Sequence, residues 1–247
     1  MGADERDVSP VALVTGANRG IGFEVCRQLA RGGMRVVLGA RDPEKAELAA
    51  KELSGEGLDV LPRTVDVSED QSVGRLATWF EEEIGRLDVL VNNAGINFDY
   101  TQRTSSADLG MVHETLETNL FGAWRACEAL LPLLRASDHS RIVNVSSEAG
   151  SSFTSPGGMA SVGGVLPAYT ISKAVLNAFT VKLAADLKNS GILVNAVCPG
   201  LVATSPEAEA AGGRPVPEGA ASVVWAVTLP DDDSTGGFFR DGEHLSW

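Results

Sequence analysis

Two residues that could transfer a proton lie four positions apart in the stretch PAYTISKAVLNAF, which runs from Pro167 to Phe179. If this stretch is a helix, Tyr169 and Lys173 leave the same face about one turn apart. A free phenol has a pKa of about 10, and a neighbouring ammonium favours its ionised form, so Lys173 is expected to lower the pKa of Tyr169. The alternative interpretation is an ordinary Tyr–Lys pair on an amphipathic helix, and the rest of the chain must decide between the two.

A second stretch with possible chemistry is VALVTGANRGIGFEV, in which three glycines connect an apolar strand to a helix. A tight turn that leads into a helix N-terminus is a common binding site for the pyrophosphate of a dinucleotide. The spacing is G-x-x-x-G-x-G and not the commoner G-x-G-x-x-G, and the strand before and the helix after it support the assignment. The loop residues expected to contact the cofactor are Gly16, Asn18, Arg19, Gly20, Ile21 and Gly22.

The end of the second predicted strand, VVLGARD, indicates which dinucleotide binds. A site for NAD usually has a carboxylate here for the ribose hydroxyls, whereas a site for NADP needs cations for the 2′-phosphate. Ala40 takes the place of the acid, Arg41 follows it, and Arg19 lies on the same side in the glycine loop. Asp42 is interpreted as the cap of the next helix. Because guanidinium groups bind phosphate oxygens in bidentate fashion, the sequence predicts NADP(H) and not NAD(H).

Apolar segments alternate with helical patterns along the chain. This order predicts a doubly wound, Rossmann-type α/β fold with a mostly parallel sheet, as a single domain over 10–247 after a flexible tail at 1–9. Strands are predicted at 11–15, 35–39, 58–62, 87–92, 141–146, 192–197 and 236–241. Helices are predicted from the glycine loop to Arg31, around Tyr169, and at 43–53, 69–84, 113–135 and 218–229.

Two segments, 148–168 and 203–217, do not fit the alternation. Both follow the carboxyl ends of strands, where ligands bind in an open α/β sheet, so they are predicted to be substrate loops, although the second could be a plain surface loop. The apolar residues of the first loop either form a wall of the substrate site or cover a helix face otherwise used in subunit pairing. Monomer and homo-oligomer both stay open. These apolar residues are Phe153, Met159, Val165 and Leu166.

The composition argues against several classes of partner. A net charge of -13 and a pI near 4.6 disfavour binding to nucleic acid or to an anionic membrane. No apolar run approaches the roughly 20 residues that span a bilayer, and the charged N-terminus is unlike a signal peptide, so a cytoplasmic location is expected. The three cysteines are expected to be buried thiols, the acidic run 231–233 is expected to be a solvated loop, and no metal site is predicted.

The set of motifs resembles the short-chain dehydrogenase/reductase family over nearly the whole chain. The motifs that carry the resemblance are TGANRGIG at 15–22, DV at 66–67, NNAG at 92–95, TNLFG with Asn119, IVNVSS at 142–147, YTISK at 169–173 and PGLVAT at 199–204. The glycine motif, the enlarged loop before Tyr169 and the terminal Trp247 are most similar to the carbonyl-reductase-like branch of that family.

The resemblance implies a catalytic group of four residues. Tyr169 is implied to be the general acid or base that exchanges a proton with the substrate oxygen, and Lys173 to lower its pKa and bind the nicotinamide ribose. Ser147 is implied to polarise the carbonyl group, and Asn119 to hold a water that connects Lys173 to solvent. Two hydroxyls on one carbonyl oxygen would form a small oxyanion-type site. Ser146 is expected to be a helper on the strand.

The resemblance also implies cofactor contacts outside the glycine loop. Asp66 and the Val67 amide are implied to hold adenine, Asn93, Ala94 and Gly95 to flank the adenosine ribose, and Val202 and Thr204 to meet the nicotinamide carboxamide. Tyr169, Lys173 and the turn residues Pro199 and Gly200 complete this set, while Asn92 is expected to be structural and to bond backbone between strands.

The expected function is therefore NADPH-dependent transfer of hydride between nicotinamide and a small carbonyl or alcohol substrate, with reduction as the expected direction. One alternative is a reductase of a specific metabolic ketone, such as a β-ketoacyl thioester or a steroid-like ketone. An alternative of another class is a regulator that binds NADP without turnover, which would normally lack one of the catalytic side chains. Phe98 and Tyr100 are candidates for the pocket, but the sequence does not identify a substrate.

Overall fold

Seven parallel strands and one short antiparallel strand form a single sheet in the computed structural model, which describes residues 9–152, 158–231 and 234–247. The strands are β1 (Val11–Val14), β2 (Arg35–Ala40), β3 (Val60–Thr64), β4 (Val89–Asn92), β5 (Arg141–Val145), β6 (Leu193–Val197), β7 (Phe238–Arg240) and β8 (Glu243–His244). Their spatial order is β3-β2-β1-β4-β5-β6-β7-β8. The predicted doubly wound, mostly parallel α/β fold is confirmed.

The helices lie between the strands, as right-handed crossovers between parallel strands require. They are α1 (Gly20–Arg31), α2 (Pro43–Gly55), α3 (Asp70–Glu83), α4 (Leu109–Leu116), α5 (Gly122–Arg135), α6 (Pro167–Asp186), α7 (Pro206–Ala210) and α8 (Val216–Val227). A π-helical turn, Glu117–Phe121, joins α4 to α5. Short 3₁₀ turns occupy Thr104–Ser106, Glu148–Gly150 and Met159–Val162.

The two faces of the sheet are covered by different helices because successive strand residues point to opposite sides. On one face, Leu13 of β1 belongs to a core cluster with Leu130 of α5 and Leu176 of α6. On the other face, the next residue, Val14, belongs to a cluster with Val25 of α1 and with residues of α2 and α8. Burial on both faces explains why the strands read as continuous apolar runs and not as alternating patterns.

Several element boundaries differ from the prediction. The third strand begins two residues late because the Leu58 N–H bonds back to the Leu53 carbonyl, which closes the turn after α2. The helix predicted at 113–135 begins at Leu109, where the Asp108 carboxylate accepts the Gly110 N–H at 2.8 Å. The segment 203–217, predicted to be irregular, contains α7 and the start of α8, and the two-residue strand β8 was not predicted.

The structure also bears on the expectations for the cysteines, the acidic run at 231–233 and the N-terminal tail. All three cysteines are free and buried, as predicted. Asp231 is half exposed but not simply solvated, because its carboxylate lies 2.6 Å from the buried Arg141 guanidinium and also contacts His139. Residues 232 and 233 of that acidic run, and residues 1–8 of the expected tail, lie outside the described part of the chain.

The sheet order changes direction between β1 and β4, because the chain runs outward from β1 to β3 and then returns to the other side of β1. In open α/β sheets, ligands bind in the crevice at the carboxyl ends of the strands at such a point. Within the described ranges, no helix is long and apolar enough to span a bilayer. The same ranges contain no group of three or more His, Cys, Asp and Glu side chains that could hold a metal ion.

Candidate active site

Ser147 and Tyr169 meet at the carboxyl end of β5. Ser147 follows the last strand residues, and its Oγ accepts the Ala149 N–H at 3.2 Å, which fixes the start of a 3₁₀ turn. Tyr169 lies in the first turn of α6, and its phenol lies close enough to the Ser147 side chain for that side chain to lower the pKa of the phenol. Although they are 22 positions apart in the sequence, these two hydroxyls are close in space.

Lys173 lies one turn further along α6, with its side chain buried behind the phenol. Its Nζ donates to the Val145 carbonyl at 2.8 Å and lies 5.8 Å from the centre of the Tyr169 ring. Gly150 makes this packing possible, because a Cβ there would lie 2.6 Å from Cβ of Lys173. Burial lowers the pKa of Lys173 from 10.5 to about 8.

The pKa of Tyr169 differs from the expectation. Burial raises the pKa of the phenol to about 12, while the hydrogen bond to Ser147 acts in the opposite direction. Lys173 does not lower the pKa of Tyr169 in this structure; its Nζ donates to the Val145 carbonyl and lies 5.8 Å from the centre of the phenol ring. The phenol is therefore protonated at neutral pH and is suited to donate a proton.

Asn119 lies in the π-helical turn and is buried beside this cluster. Its Oδ1 accepts the Ile96 N–H at 2.8 Å, and its Nδ2 donates to the Ile96 carbonyl at 3.0 Å and to Ser172 Oγ at 2.9 Å. A Cβ at Gly95 would lie 3.3 Å from Asn119 Oδ1 and 3.7 Å from Lys173 Nζ. Asn119 therefore joins the loop after β4 to the helix that carries Tyr169 and Lys173.

Ser146, the neighbour of Ser147, contacts the same helix α6 at other residues. Its hydroxyl donates to Asn177 Oδ1 on α6 and, at 3.4 Å, to the Lys173 carbonyl. The Ser146 hydroxyl is thereby engaged inside the core, and the Ser147 side chain is the one that affects the phenol. The expected role of Ser146 as a helper stays a prediction.

The glycine loop is held by the loop after β4. The Asn93 amide group donates to the carbonyls of Thr15 and Gly16, at 2.8 and 3.1 Å. The Thr15 hydroxyl in turn accepts the N–H groups of Asn93 and Ala94. A Cβ at Gly16 would lie 2.7 Å from Cα of Ala94, and one at Gly22 would lie 2.4 Å from Nδ2 of Asn93, so both positions require glycine.

The remaining predicted cofactor residues surround the same crevice. Gly20 has a φ of 61°, and a Cβ there would lie 3.4 Å from Cγ2 of Thr204, which brings the glycine loop close to the loop after β6. Val202 is buried and pairs with Arg214, while Gly200 makes its turn with a φ of 79°. Other predicted residues at the carboxyl ends of β1, β4 and β6 or at the start of α1 are Asn18, Ile21, Ala94, Gly95 and Pro199.

Asp66 and Val67 follow β3 at the outer side of the crevice. The Asp66 carboxylate accepts the Ser68 N–H at 3.0 Å and the Ser68 hydroxyl at 2.6 Å, which orders this turn. Val67 packs against Gly122, where a Cβ would lie 2.6 Å from the valine side chain. The turn is thereby fixed between α3 and α5.

Two exposed guanidinium groups, on Arg19 and Arg41, lie at the carboxyl ends of β1 and β2. Neither forms an ion pair with another residue of the described part. Asp42, next to Arg41, accepts the Lys45 N–H at 3.2 Å and pairs with the Lys45 ammonium at 2.9 Å, so it caps α2 as predicted. The first turn of α1 contains no acidic residue that would repel an anion.

The loop before α6 is described in part. Its second half pairs with the segment after β4, through a bridge between Arg103 and Val165 and a bond from the Thr104 N–H to the Gly164 carbonyl at 2.9 Å. Met159 and Leu166 are half-buried, and Phe153 lies outside the described residues. On the outer face of α5, Trp124 is 49% exposed and stacks on Phe179.

Comparison with known proteins decides the family. The family model for short chain dehydrogenase matches residues 10–213. (+)-Neomenthol dehydrogenase of Arabidopsis thaliana is 35% identical over 95% of this chain and 97% of its own length, and carbonyl reductase (NADPH) 3 of Rattus norvegicus is 35% identical over 97% and 99%. The crystal structure of an NADPH-bound carbonyl reductase from chicken fatty liver is similar with a TM-score of 0.83 and 26% identity, over 97% of this chain and 99% of that one.

The chain belongs to the short-chain dehydrogenase family. It is an oxidoreductase by family, and its relatives include carbonyl reductases, as the resemblance implied. The family motifs identify the glycine loop and the Tyr–Lys helix, and the structure brings these two parts to one crevice.

Two features of this family member were not predicted. Asn92 does not bond backbone between strands, because its Nδ2 donates to Asn144 Oδ1 at 2.9 Å and contacts Cys127 Sγ at 3.3 Å. Asp99, which no motif includes, is buried and accepts the N–H of Ala168 at 2.6 Å. The one sequence signal for Asp99 is that no Ser, Thr, Asp or Asn directly precedes the helix at Pro167.

Proposed function

We propose that this protein is an NADPH-dependent reductase that converts the carbonyl group of an aldehyde or ketone to an alcohol. The observation that carries the proposal is the placement of the Tyr169 phenol beside the Ser147 side chain, at the same edge of the sheet as the glycine loop. A protonated phenol can donate to a carbonyl oxygen, whereas oxidation of an alcohol requires a base. Reduction as the main direction is supported by the relatives named as NADPH carbonyl reductases.

The crevice fits a nicotinamide dinucleotide. The glycine loop and the N-terminus of α1 would hold the pyrophosphate, Asp66 and Val67 the adenine, and Val202 and Thr204 the nicotinamide end. The close approaches at Gly16 and Gly22 leave backbone atoms and not side chains at the start of α1. Such a cofactor, when bound, supplies the hydride.

The residues of this chain supply the proton and stabilise the developing charge. As the carbonyl carbon gains a hydride, its oxygen becomes negative, and the hydroxyls of Ser147 and Tyr169 hydrogen-bond to it. Tyr169 then gives its proton to that oxygen, so that one hydride and one proton convert the carbonyl to an alcohol. Lys173, with a pKa of about 8, can pass a proton towards Tyr169 near neutral pH, and Asn119 orders the loop at Ile96 beside it.

The preference for NADPH over NADH is assigned to Arg19 and Arg41. Both are exposed at the edge of the sheet where the adenosine ribose is expected, and Ala40 offers no carboxylate for the ribose hydroxyls. The relatives named as NADPH carbonyl reductases support this preference. Their names, with that of neomenthol dehydrogenase, also favour a small apolar carbonyl compound as substrate.

The activity test is a panel of aldehydes and ketones with NADPH and, separately, with NADH, in which loss of reduced-cofactor absorbance is measured. We expect turnover with NADPH and a clearly lower KM for NADPH than for NADH. No turnover on a broad carbonyl panel would refute the reductase, and a clear preference for NADH would refute the assignment of the two arginines.

The substitution Arg41→Ala tests the cofactor preference directly. A charge-assisted contact to a phosphate contributes about 1.5–3 kcal/mol, so the KM for NADPH should rise about 10- to 100-fold while the KM for NADH changes little. Arg135→Ala is the matched control, since Arg135 lies at the end of α5, at the opposite edge of the sheet. An equal rise for both cofactors, or the same rise in the control, would count against a phosphate contact.

A further inference from the structure

The helix that carries Tyr169 begins without a capping side chain of its own. The residue before Pro167 is Leu166, which cannot accept a hydrogen bond through its side chain and whose backbone is left-handed, with a φ of 55°. The first N–H groups of a helix need acceptors, and a Ser, Thr, Asp or Asn at the preceding position usually provides one. In α6 the N–H groups that need an acceptor include those of Ala168 and Tyr169.

Asp99 provides the missing acceptor from a distant part of the chain. Its Oδ2 accepts the Ala168 N–H at 2.6 Å and the Tyr169 N–H at 3.4 Å, although Asp99 lies 69 and 70 positions upstream. The side chain is 1% exposed, so the charge is balanced by these N–H groups and by the positive end of the helix dipole. A backbone contact to Tyr169 itself fixes the residue that is proposed to donate the proton.

Burial of the Asp99 carboxylate at this position costs free energy of folding. Its other oxygen, Oδ1, is buried and has no hydrogen-bond partner among the described residues. A buried carboxylate oxygen without a partner destabilises the fold, so an uncharged cap would serve stability better. The carboxylate therefore costs stability while it supplies the acceptor for the helix turn that carries Tyr169.

Asp99 also fixes the segment that borders the crevice. Its neighbours Phe98 and Tyr100 are 55% and 67% exposed, so the segment is anchored inward by one side chain and presents aromatic rings outward on both sides of it. The phenol of Tyr100 is near enough to Tyr169 to contribute to the raised pKa of the latter. A second tie, from Thr104 to Gly164, holds the same segment to the loop before α6.

We propose that Asp99 is a positioning residue for proton transfer, which sets the Tyr169 hydroxyl relative to the aromatic segment 98–100 where the carbonyl compound binds. The inference rests on the proposed reductase function. Loss of the carboxylate releases the first turn of α6, and a displacement of the donor by about 1 Å is enough to slow proton transfer strongly. The cofactor crevice is formed by other elements and stays intact.

Two substitutions and one control test this inference. Asp99→Ala removes the acceptor, Asp99→Asn keeps an oxygen that can accept the same N–H groups, and Asp108→Ala removes an ordinary Asp cap from α4. We expect Asp99→Ala to lower kcat at least about tenfold with the Kd for NADPH unchanged, and Asp99→Asn to restore most of kcat. Among these three variants, only Asp99→Ala should show faster amide hydrogen exchange at the start of α6 than the wild-type protein.

The outcomes separate this inference from the reductase proposal. Wild-type kcat in Asp99→Ala, or an equal loss in Asp108→Ala, would overturn the positioning role while leaving the reductase function in place. If Asp99→Ala fails to fold, Asp99→Asn decides the question: near wild-type kcat and exchange there support positioning through the accepting oxygen, and a full loss of kcat with unchanged exchange at 168–169 would overturn it. If the wild-type protein reduces no carbonyl compound, the reductase proposal fails, and unchanged exchange at 168–169 in Asp99→Ala would then overturn the anchoring itself.

Discussion

At the scale of single residues, the two adjacent serines show how one step along a strand changes what a side chain can do. Ser147 contacts the phenol of Tyr169, whereas Ser146 donates to Asn177 inside the core. The two residues have the same side chain and are adjacent in sequence. Their contacts differ, because the Ser146 hydroxyl is held inside the core and Ser147 begins the 3₁₀ turn beside the phenol.

The pair Ser147→Ala and Ser146→Ala tests this distinction. Removing a donor from an oxyanion-type site costs about 100- to 1,000-fold in kcat, so Ser147→Ala should lose that much with little change in stability. Ser146→Ala leaves the buried Asn177 amide without its partner and should lower the free energy of unfolding by about 1–3 kcal/mol while kcat stays within a few-fold. Steady-state kinetics and urea unfolding measure the two effects, and equal kinetic losses in both variants would contradict the assignment.

At the scale of secondary-structure elements, the chain folds each loop of the crevice against another loop. Asn93 holds the glycine loop through Thr15 and Gly16, and Asn119 holds the Ile96 backbone. The crevice is therefore built mostly from backbone groups that are fixed by amide side chains. Such a site depends on close approach and tolerates little added volume.

Gly22→Ala is expected to weaken cofactor binding. A Cβ at this position would lie 2.4 Å from Nδ2 of Asn93 and would displace that amide from the glycine loop, so the Kd for NADPH should rise at least about tenfold. Gly74→Ala is the matched control, because Gly74 lies in α3 with open space around it. The control should keep its affinity and gain up to about 1 kcal/mol of stability. Calorimetric titration and thermal unfolding would measure both, and normal affinity in Gly22→Ala would contradict the close packing.

How far the sequence predicts these elements depends on the range of the interactions that form them. The order of the main strands and helices, the glycine turns and the cap at Asp42 follow from local patterns and were predicted, whereas the short helix α7 was not. The π-helical turn at Glu117–Phe121 and strand β8 were missed, because the first reads as ordinary helix and the second is only two residues long. The cap of α6 by Asp99 joins residues 69 positions apart, and no local pattern encodes it.

The candidate site, too, was predicted only in part from the sequence. The types and positions of Ser147, Tyr169 and Lys173 were identified from the sequence, but the pKa of Tyr169 was predicted in the wrong direction. Proximity of a lysine suggests a lowered pKa, whereas burial of the phenol, which only the packed structure shows, has the larger effect and raises it.

At the scale of the whole molecule, burial shifts the pKa of several groups that affect stability at high pH. The pKa values of Cys127 and Tyr169 rise to about 12, from 9.0 and 10.0, and the pKa of Cys26 also rises, each because of burial. These groups keep their protons in the folded protein at a pH where the unfolded chain loses them. Their contribution to stability is therefore complete below about pH 9 and is lost as pH rises above it.

We expect the free energy of unfolding to fall between pH 9 and pH 11. Each thiol with a raised pKa lowers it by about 1.4 kcal/mol per pH unit in this range. Lys173 opposes one of them, because its folded pKa of about 8 lies below the ordinary 10.5, so that its contribution rises with pH between those values. Because two thiols lower the free energy of unfolding and one lysine raises it, the net change in this pH range is a fall. Urea unfolding at several pH values should show a shallower fall in Cys26→Ala than in the wild-type protein, and identical slopes would contradict the linkage.

The most direct test of the proposed mechanism is the substitution Tyr169→Phe, which removes one oxygen atom and retains the ring. Because the variant cannot donate the proton, kcat for carbonyl reduction should fall by about 100- to 10,000-fold. The Kd for NADPH, measured by fluorescence titration of the same preparation, should stay within a few-fold of the wild-type value. A variant that binds NADPH and reduces the carbonyl compound at the wild-type rate would contradict the role of Tyr169 as the proton donor.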